Sequence, residues 1–382
     1  MSGDQETFFA RREPCGDFCY VASVGGYREI EEVAPSAQVR VLDRRDGQRE
    51  LSAPIQVVAY PSLSCNLNCP FCYLPTRSAA RMSDNTIDSL LGYMQDRYVG
   101  RLQILGGEPF LPGTREVTRR IIERANAFSA VQELTLTTNG LYLDEVDTDW
   151  LWAQGVAVSI SVHGIGEQYN AAVGAGIRDA SSKLWANLKA LERQRKAIDL
   201  TTVVTTANIT HLPVLRNAID TLSNVRSWAL LYPIVNERTR PLAPNLLDFF
   251  QAAEALADQT HYLFNISMPF QYRLRGSPPP QSRFEQMLCR CSTIDSNKIE
   301  VLPDGTVYHC CMLLDAPDLA LGNINDTDFT TRRQYPTDAK IIPCRPVDCR
   351  YYAHCYGCLG WARKNGRRED NRCPFAHAHC TT

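Results

Sequence analysis

Short apolar runs alternate with amphipathic stretches over the first half of the chain. Six runs have the composition of β-strands: IQVVAY (55–60), RLQILGG (101–107), ELTLTTNG (133–140), VAVSISVHG (156–164), IDLTTVVTT (198–206) and SWALLYPIV (227–235). The stretches between them have helical periodicity, for example at 84–98, 114–128, 181–197 and 212–222. Strands that alternate with helices form parallel βα units. Because a closed eight-stranded barrel needs roughly 250 residues, the pattern predicts an α/β fold with a partial (β/α)6 TIM-like barrel.

The flanking segments differ from this core. Residues 1–53 contain the strand-like runs VASVGGY and AQVRVLD, and DRRDGQRE has the composition of a β-hairpin turn. Residues 241–288 begin with the amphipathic run NLLDFFQAAEALADQTHYLF and continue through GSPPPQS, which predicts a helical connector. Residues 289–382 are rich in cysteine and poor in long periodic segments. We therefore predict a barrel core over 54–240 and a Cys-rich C-terminal domain over 289–382.

Composition and charge are those of a globular protein. The 382 residues are 44% hydrophobic and 21% charged, and the formal net charge is -2. Such a chain has no strong field to attract nucleic acid or an anionic membrane. No run approaches the roughly 18 apolar residues of a membrane span, and the N-terminus lacks the apolar core of a signal peptide. We expect a cytoplasmic protein that binds neither nucleic acid nor a membrane.

The cysteine content departs from this ordinary picture. Of the 15 cysteines, three lie close together at Cys65, Cys69 and Cys72, ten lie between Cys289 and Cys380, and residues 73–288 have none. The cytosol keeps thiols reduced, so structural disulfides are not expected. Clustered cysteines in such a chain indicate metal ligation.

The Cys-x3-Cys-x2-Cys run at Cys65, Cys69 and Cys72 directly follows the first apolar strand. A four-iron cluster usually takes four cysteines, and three local thiolates leave one iron open to a chelating substrate. A zinc knuckle, or a cluster completed by a distant cysteine, is the alternative. The next strand ends in Gly106-Gly107-Glu108-Pro109. Two glycines let the backbone approach a ligand closely, and a carboxylate can receive an ammonium group.

With CNLNCPFCY and GGEP on successive strands, residues 54–240 resemble the radical S-adenosylmethionine (SAM) superfamily. The resemblance implies that Cys65, Cys69 and Cys72 bind a [4Fe–4S] cluster and that SAM chelates its fourth iron. It also implies a set of residues around the cofactor: Gly106, Gly107 and Glu108 at its methionine end, Phe71 near its adenine, and Thr138, Asn139, Ser159 and Ser161 as further candidates. Ordinary strand-end hydrogen bonding is the alternative for these last four.

One position departs from the family. The family's fourth strand often reads Ser-x-Asp-Gly, and here it reads Ser161-Val162-His163-Gly164. The usual acid contact is therefore in doubt, and His163 can face the substrate instead. The activity that the resemblance implies is reductive cleavage of SAM to a 5′-deoxyadenosyl radical, which abstracts hydrogen from a substrate. A flavodoxin- or ferredoxin-like protein would supply the electron.

The C-terminal part resembles the SPASM extension of radical SAM enzymes. The motifs are an early cysteine, the hairpin-like LPDGTVYHC, then LGNI and a four-cysteine run. The resemblance implies two auxiliary [4Fe–4S] clusters, one on Cys289, Cys291, Cys310 and Cys358, the other on Cys344, Cys349, Cys355 and Cys373. The outer spacings of the run depart from the family pattern. Zinc is the alternative, because His354, His377 and His379 are interleaved.

Four cysteines exceed these eleven ligands: Cys15, Cys19, Cys311 and Cys380. Cys311 directly follows Cys310, where sulfatase-maturing relatives have an acid. A thiol can donate a hydrogen atom to a carbon radical, which is what a radical epimerase requires. A small buried apolar residue is the alternative.

The resemblance implies a radical enzyme acting on a peptide or small natural product. The favoured interpretation is oxidation or cross-linking of a ribosomally made peptide. Against it, residues 1–53 are short for the winged-helix module with which many such enzymes bind a leader peptide. Dehydrogenation of a sugar- or cyclitol-like substrate and redox-neutral epimerisation through Cys311 are alternatives. A non-catalytic iron–sulfur or zinc protein, acting as scaffold or electron carrier, is the alternative outside enzymes.

Overall fold

The structure is a computed structural model that describes residues 7–13, 16–21, 26–29, 38–43, 55–95, 99–127, 131–143, 145–174, 179–234, 236, 238–256, 260–267 and 298–329. Among these residues, no helix combines the length and the apolar character that crossing a membrane requires. The Asp46-Gly47 turn lies outside them.

A four-stranded sheet forms near the N-terminus. Its strands are β1 (Thr7–Glu13), β2 (Gly16–Val21), β3 (Gly26–Glu29) and β4 (Gln38–Asp43), in the order β3-β2-β1-β4. β1 pairs antiparallel with β2 and parallel with β4. The run AQVRVLD coincides with β4, as predicted, whereas VASVGGY covers the end of β2 and the beginning of β3 rather than one strand.

The main sheet contains seven consecutive parallel strands. They are β5 (Ile55–Ala59), β6 (Val99–Ile104), β7 (Val131–Thr138), β8 (Ala157–Ser161), β9 (Ile198–Val203), β10 (Val225–Leu231) and β11 (Leu263–Ser267). The accompanying helices are α1 (Asp84–Gln95), α2 (Arg115–Asn126), α3 (Glu145–Ala153), α4 (Gly166–Val173), α5 (Ala180–Arg193), α6 (Leu212–Ile219) and α7 (Leu246–Leu256). The predicted strands are β5 to β10, and the α/β partial-barrel fold class is confirmed.

The sheet continues beyond the predicted end of the core at residue 240. The segment 241–288 contains α7, as its amphipathic pattern predicts, but also β11, which pairs in parallel with β10. The amphipathic run predicts helix as far as Leu263 and Phe264, its last two residues. This part of the prediction is wrong, because both residues belong to β11. The side chain of Leu263 is 68% exposed, so the edge strand lacks the buried alternation that would have revealed it.

A hairpin covers the other edge of the same sheet. Strand β12 (Lys298–Val301) pairs in parallel with β5, and β13 (Thr306–Tyr308) and β14 (Gly322–Asn323) follow antiparallel. Asp304 accepts a hydrogen bond from the Thr306 backbone at 3.0 Å, and Gly305 has a φ of 87°, so the Asp-Gly turn lies where the sequence predicts it. The hairpin therefore stands beside the strand that leads into the cysteine loop.

The two faces of the parallel strands have different chemistry. On one face, side chains such as Leu102, Leu136, Ile160, Leu200 and Leu230 are fully buried in the helical layer. Burial of each contributes on the order of 1.5–3 kcal/mol. The alternate positions form what we call the inner face, where half-buried polar side chains predominate, including Gln103, Thr137, Ser159, Ser161, Thr201 and Ser227. This face leaves polar groups available at the carboxyl ends of the strands.

Candidate active site

The cysteine loop connects β5 to α1. Its thiols at Cys65, Cys69 and Cys72 are free and half-buried. The Cys72 backbone donates to the Cys69 carbonyl at 3.1 Å, and the Leu67 backbone donates to the Cys65 Sγ at 3.4 Å. The loop therefore folds back on itself, and one backbone N–H already donates to a cysteine sulfur.

Burial disfavours ionisation of the Cys65 and Cys69 thiols in the absence of a cation. Burial is the main cause that raises the pKa of Cys69 to about 12, and the neighbouring Cys65 and Cys72 sulfurs add to it. Burial also raises the pKa of Cys65, against the lowering effect of the Leu67 hydrogen bond. Thiolates so close together need positive charge among them. An iron–sulfur cluster supplies that charge.

A buried amide donor beside the loop supports the same fit. The Nδ2 of Asn66 is buried without a hydrogen-bond partner among the described residues, while its Oδ1 accepts from the Asn139 Nδ2 at 2.8 Å. A free donor at this place suits sulfide or thiolate acceptors. Within the described residues no group of three or more His, Cys, Asp or Glu can hold a single metal ion. Ligands of a four-iron cluster each bind a different iron and need not converge on one point.

The Gly106-Gly107 turn after β6 packs against the backbone of the cysteine loop. A Cβ at Gly107 would lie 1.9 Å from the Ser64 carbonyl oxygen, and one at Gly106 would lie 2.5 Å from that of Ser62. The Gly107 backbone donates to the Ser62 carbonyl at 3.0 Å, and the Glu108 backbone donates to the Ser64 carbonyl at 2.7 Å. The close approach that glycine permits here is thus to the cysteine loop, which the turn holds in place.

Glu108 joins two strand ends. Its side chain is 1% exposed and accepts three hydrogen bonds, from the Thr138 hydroxyl at 2.7 Å, the Asn139 backbone at 2.8 Å and the Phe110 backbone at 3.0 Å. Burial raises the pKa of Glu108, and the three donors oppose that rise. Since Asn139 also donates to Asn66, the predicted residues Glu108, Thr138 and Asn139 form one network with the cysteine loop.

Phe71 and His163 lie against each other. Their ring centroids are 4.7 Å apart in an edge-to-face arrangement. The Nδ1 of His163 accepts the Val203 backbone N–H at 3.2 Å, and burial lowers the pKa of His163 to about 4. The imidazole is therefore neutral near pH 7, and its proton is on Nε2. His163 is thus a neutral hydrogen-bond donor at the position where the family pattern Ser-x-Asp-Gly has aspartate.

Ser159 and Ser161 lie on the inner face of β8. Both are half-buried, and the Ser161 hydroxyl is 3.5 Å from that of Thr201 on β9. Neither serine is among the three donors to Glu108. The structure therefore places them on the polar inner face. They are outside the network that joins the cysteine loop to the Gly106-Gly107-Glu108 turn, which we call the GGE turn.

Cys310 and Cys311 lie at the end of the β12–β13 hairpin, where the sequence did not predict a surrounding polar network. The Tyr60 hydroxyl donates to the Glu300 Oε2 at 2.5 Å and lies 3.1 Å from the Tyr73 hydroxyl. Lys298 forms an ion pair with Glu300 at 2.7 Å. The two cysteines pack against the apolar cluster that contains Tyr60. Only the register of β12 beside β5, which the sequence does not show, brings these groups together.

The two adjacent thiols have opposite pKa shifts. A hydrogen bond between them is the largest cause in both cases, and it lowers the pKa of Cys310 to about 7 and raises that of Cys311. Burial adds to the rise at Cys311. The remaining predicted auxiliary ligands lie outside the described residues: Cys289, Cys291, Cys344, Cys349, Cys355, Cys358 and Cys373. Cys15, Cys380, His354, His377 and His379 also lie outside them.

Comparisons with known proteins agree with this geometry. The family model for the radical SAM superfamily matches residues 60–217, and the SPASM model, an iron–sulfur cluster-binding domain, matches residues 289–359. Among curated proteins, a GTP 3′,8-cyclase of Aquifex aeolicus is 28% identical over 130 residues, which are 32% of this chain and 39% of that protein. An uncharacterized protein of Archaeoglobus fulgidus is 27% identical over 180 residues, 46% of this chain and 40% of that protein. The chain thus matches about two fifths of the length of these relatives.

Solved structures share the fold. Streptococcus suis SuiB bound to S-adenosylmethionine superposes with a TM-score of 0.65 at 18% identity, covering 83% of this chain and 75% of SuiB. The protein anSMEcpe with bound AdoMet superposes with a TM-score of 0.56 at 18% identity, covering 85% of this chain and 95% of that one. The chain therefore contains a radical SAM domain followed by a SPASM domain, and its cofactors are S-adenosylmethionine and [4Fe–4S] clusters.

Proposed function

We propose that Cys65, Cys69 and Cys72 hold a [4Fe–4S] cluster whose fourth iron stays open to SAM. The observation that carries this proposal is the presence of three half-buried thiols in one loop, which the Gly106-Gly107-Glu108 turn holds through two backbone hydrogen bonds. When bound, the cluster and SAM together supply a 5′-deoxyadenosyl radical that abstracts hydrogen from the substrate. The residues of this chain hold the cluster, orient SAM and exclude water.

The residues around SAM divide into two groups in this proposal. The methionine end is shaped by Gly106, Gly107 and Glu108. Thr138 and Asn139 hold the Glu108 carboxylate by hydrogen bonds, and one of its lone pairs stays open beyond its three donors. On the adenine side lies Phe71, whose ring packs against His163. The hydroxyls of Ser159 and Ser161 are available from the inner face.

We propose that the substrate is a peptide and that the reaction is an oxidation or a cross-link. Two of the proteins with the same fold have been crystallised with peptides: SuiB with the precursor peptide SuiA, and anSMEcpe with the peptide Kp18Cys. The polar inner face suits a polar group at the reacting position, since Gln103, Thr137 and Thr201 present amide and hydroxyl groups there. A sugar- or cyclitol-like substrate of a dehydrogenase fits the same face.

The C-terminal cysteines complete the redox machinery in this proposal. One auxiliary cluster is bound by Cys310 with Cys289, Cys291 and Cys358, and a second by Cys344, Cys349, Cys355 and Cys373. They accept an electron from the substrate or relay one from a flavodoxin- or ferredoxin-like donor. The protein works in the cytoplasm, where such donors are reduced.

Redox-neutral epimerisation is the second candidate. The observation that favours it is the position of Cys311, a half-buried thiol at the end of the hairpin that lies beside β5, adjacent to the proposed ligand Cys310. A thiol there can give a hydrogen atom to the substrate radical, and an electron from the adjacent auxiliary cluster together with a proton would restore the thiol. For an epimerase, Cys311→Ala stops turnover and solvent deuterium no longer enters the product; full activity of Cys311→Ala removes this candidate.

Metal analysis combined with an assay for 5′-deoxyadenosine tests the leading proposal. About twelve irons per chain and reductant-dependent cleavage of SAM are expected for three four-iron clusters. Two or three zinc ions per chain without cleavage would instead indicate a non-catalytic zinc protein. Iron without cleavage would indicate an electron carrier.

A further inference from the structure

Tyr169 carries a buried hydroxyl that the proposed function has not used. The residue lies in α4, which follows β8, and its side chain is 0% exposed. Its hydroxyl has no hydrogen-bond partner among the described residues. Leaving a buried hydroxyl unpaired costs on the order of 1–3 kcal/mol, so native proteins generally supply an acceptor.

Groups of the cysteine loop and the GGE turn act electrostatically on this hydroxyl. Besides burial, the groups that raise the pKa of Tyr169 are Cys69, Glu108 and Cys65, in that order. Glu108 already accepts hydrogen bonds from three donors. The one lone pair that remains on Glu108 is the one that the proposed function leaves for the methionine end of SAM, so the loop sulfurs are the neighbouring acceptors left for this hydroxyl.

Close backbone packing fixes the position of Tyr169 relative to the loop. Gly174 ends α4 with a φ of 57°, and a Cβ there would lie 2.5 Å from the Asn68 carbonyl oxygen. A Cβ at Gly164, just before the helix, would lie 3.1 Å from the Tyr169 backbone nitrogen. The end of α4 therefore packs closely against the backbone of the cysteine loop at Asn68.

We propose that the Tyr169 hydroxyl donates a hydrogen bond to the cluster on Cys65, Cys69 and Cys72, at a thiolate or sulfide sulfur, and raises its reduction potential. This role rests on the proposed function. The reduced cluster carries one more negative charge than the oxidised cluster, so a donor stabilises the reduced form more. Tyr169 is thus a positioning residue that makes the cluster easier to reduce.

The test is a redox titration of anaerobically reconstituted Tyr169→Phe, followed by electron paramagnetic resonance without SAM. The signal of this cluster is identified by its change on addition of SAM, and by its absence from the triple variant with alanine at Cys65, Cys69 and Cys72. At the wild-type midpoint, we expect the ratio of reduced to oxidised cluster to fall at least threefold. That ratio corresponds to a midpoint about 28 mV more negative for one electron.

Tyr262→Phe is the matched control. The Tyr262 side chain is also buried, but its hydroxyl donates to Asp220 at 2.8 Å, away from the cysteine loop. Its midpoint should equal that of the wild type. A second measurement does not depend on the variants: in D2O, the wild-type cluster should show hyperfine coupling to an exchangeable deuteron. Tyr169→Phe should lack one coupled deuteron, while the couplings of the Leu67 backbone and the Asn66 amide remain in both proteins.

The outcomes separate this role from the proposed function. An unchanged midpoint in Tyr169→Phe, an equal shift in Tyr262→Phe, or an effect present only with SAM bound overturns the role and leaves the proposed cluster intact. If Tyr169→Phe fails to load the cluster, the number of coupled exchangeable deuterons in the wild type decides, and a number for which the Leu67 backbone and the Asn66 amide account overturns the role. A wild-type protein that has no SAM-sensitive cluster overturns the proposed function as well.

Discussion

Replacing Gly107 with alanine tests how the GGE turn holds the cysteine loop. The new Cβ would lie 1.9 Å from the Ser64 carbonyl oxygen and 2.7 Å from that of Leu63. Both contacts are with backbone atoms, which cannot rotate away as a side chain can. The turn must therefore move off the loop.

The magnitude follows from the contacts that this movement breaks. The hydrogen bonds Gly107 N–H to Ser62 and Glu108 N–H to Ser64, at 3.0 and 2.7 Å, contribute about 1 kcal/mol each. Overpacking of a tight contact costs a further 1–3 kcal/mol or so. We expect Gly107→Ala to lower the free energy of unfolding by about 3–5 kcal/mol, and to reduce the iron bound at the loop because the thiols lose their support.

Urea denaturation, together with iron analysis after reconstitution, measures both effects. Gly92→Ala is the matched control, because Gly92 lies in α1 with nothing within 4 Å of an added Cβ. Alanine there should stabilise the helix by about 0.5–1 kcal/mol. If Gly107→Ala is as stable as Gly92→Ala and binds as much iron, the packing described for the turn is wrong.

Two further predictions concern polar groups within the parallel sheet and at its strand ends. Burial lowers the pKa of His163 from 6.5 to about 4, so between these values the unfolded chain binds a proton that the folded chain does not. The free energy of unfolding should therefore fall by about 1.3 kcal/mol from pH 7.5 to pH 5.5. His163→Asn, which retains an acceptor for the Val203 backbone, should remove this pH dependence in urea titrations at the two pH values. Thr202→Val should lower the free energy of unfolding by about 1–3 kcal/mol in the same assay, because the Trp228 Nε1 loses its acceptor at 2.9 Å. The control Thr135→Val removes a hydroxyl that has no partner among the described residues, and it should leave the free energy of unfolding unchanged. Equal losses in the two variants would contradict the role of Thr202 as acceptor.

The succession of parallel strands along the chain could be predicted because buried parallel strands leave a local signature. Runs such as IQVVAY are continuously apolar, and Ser83 caps α1 by accepting the Thr86 backbone N–H at 3.1 Å, as its position before the periodic stretch indicates. Strand β11 lacked such a signature, since Leu263 is exposed at the sheet edge. The short helices α3 and α4 were also not predicted, because few residues carry their period.

The candidate site could be predicted only as far as its motifs are local. The spacing of Cys65, Cys69 and Cys72 and the GGE turn indicated the cluster and its neighbourhood. The Asn66–Asn139 bridge, the Glu300–Tyr60 contact and the burial of Tyr169 depend on tertiary packing between residues far apart in sequence. No periodicity encodes such contacts.

The most direct test of the account compares the wild type with the triple variant Cys65→Ala, Cys69→Ala and Cys72→Ala, both reconstituted anaerobically. The account predicts that the variant loses four irons per chain, about one four-iron cluster, and all reductant-dependent formation of 5′-deoxyadenosine, while it retains its other iron. Unchanged iron content, or continued cleavage of SAM by the triple variant, would contradict it.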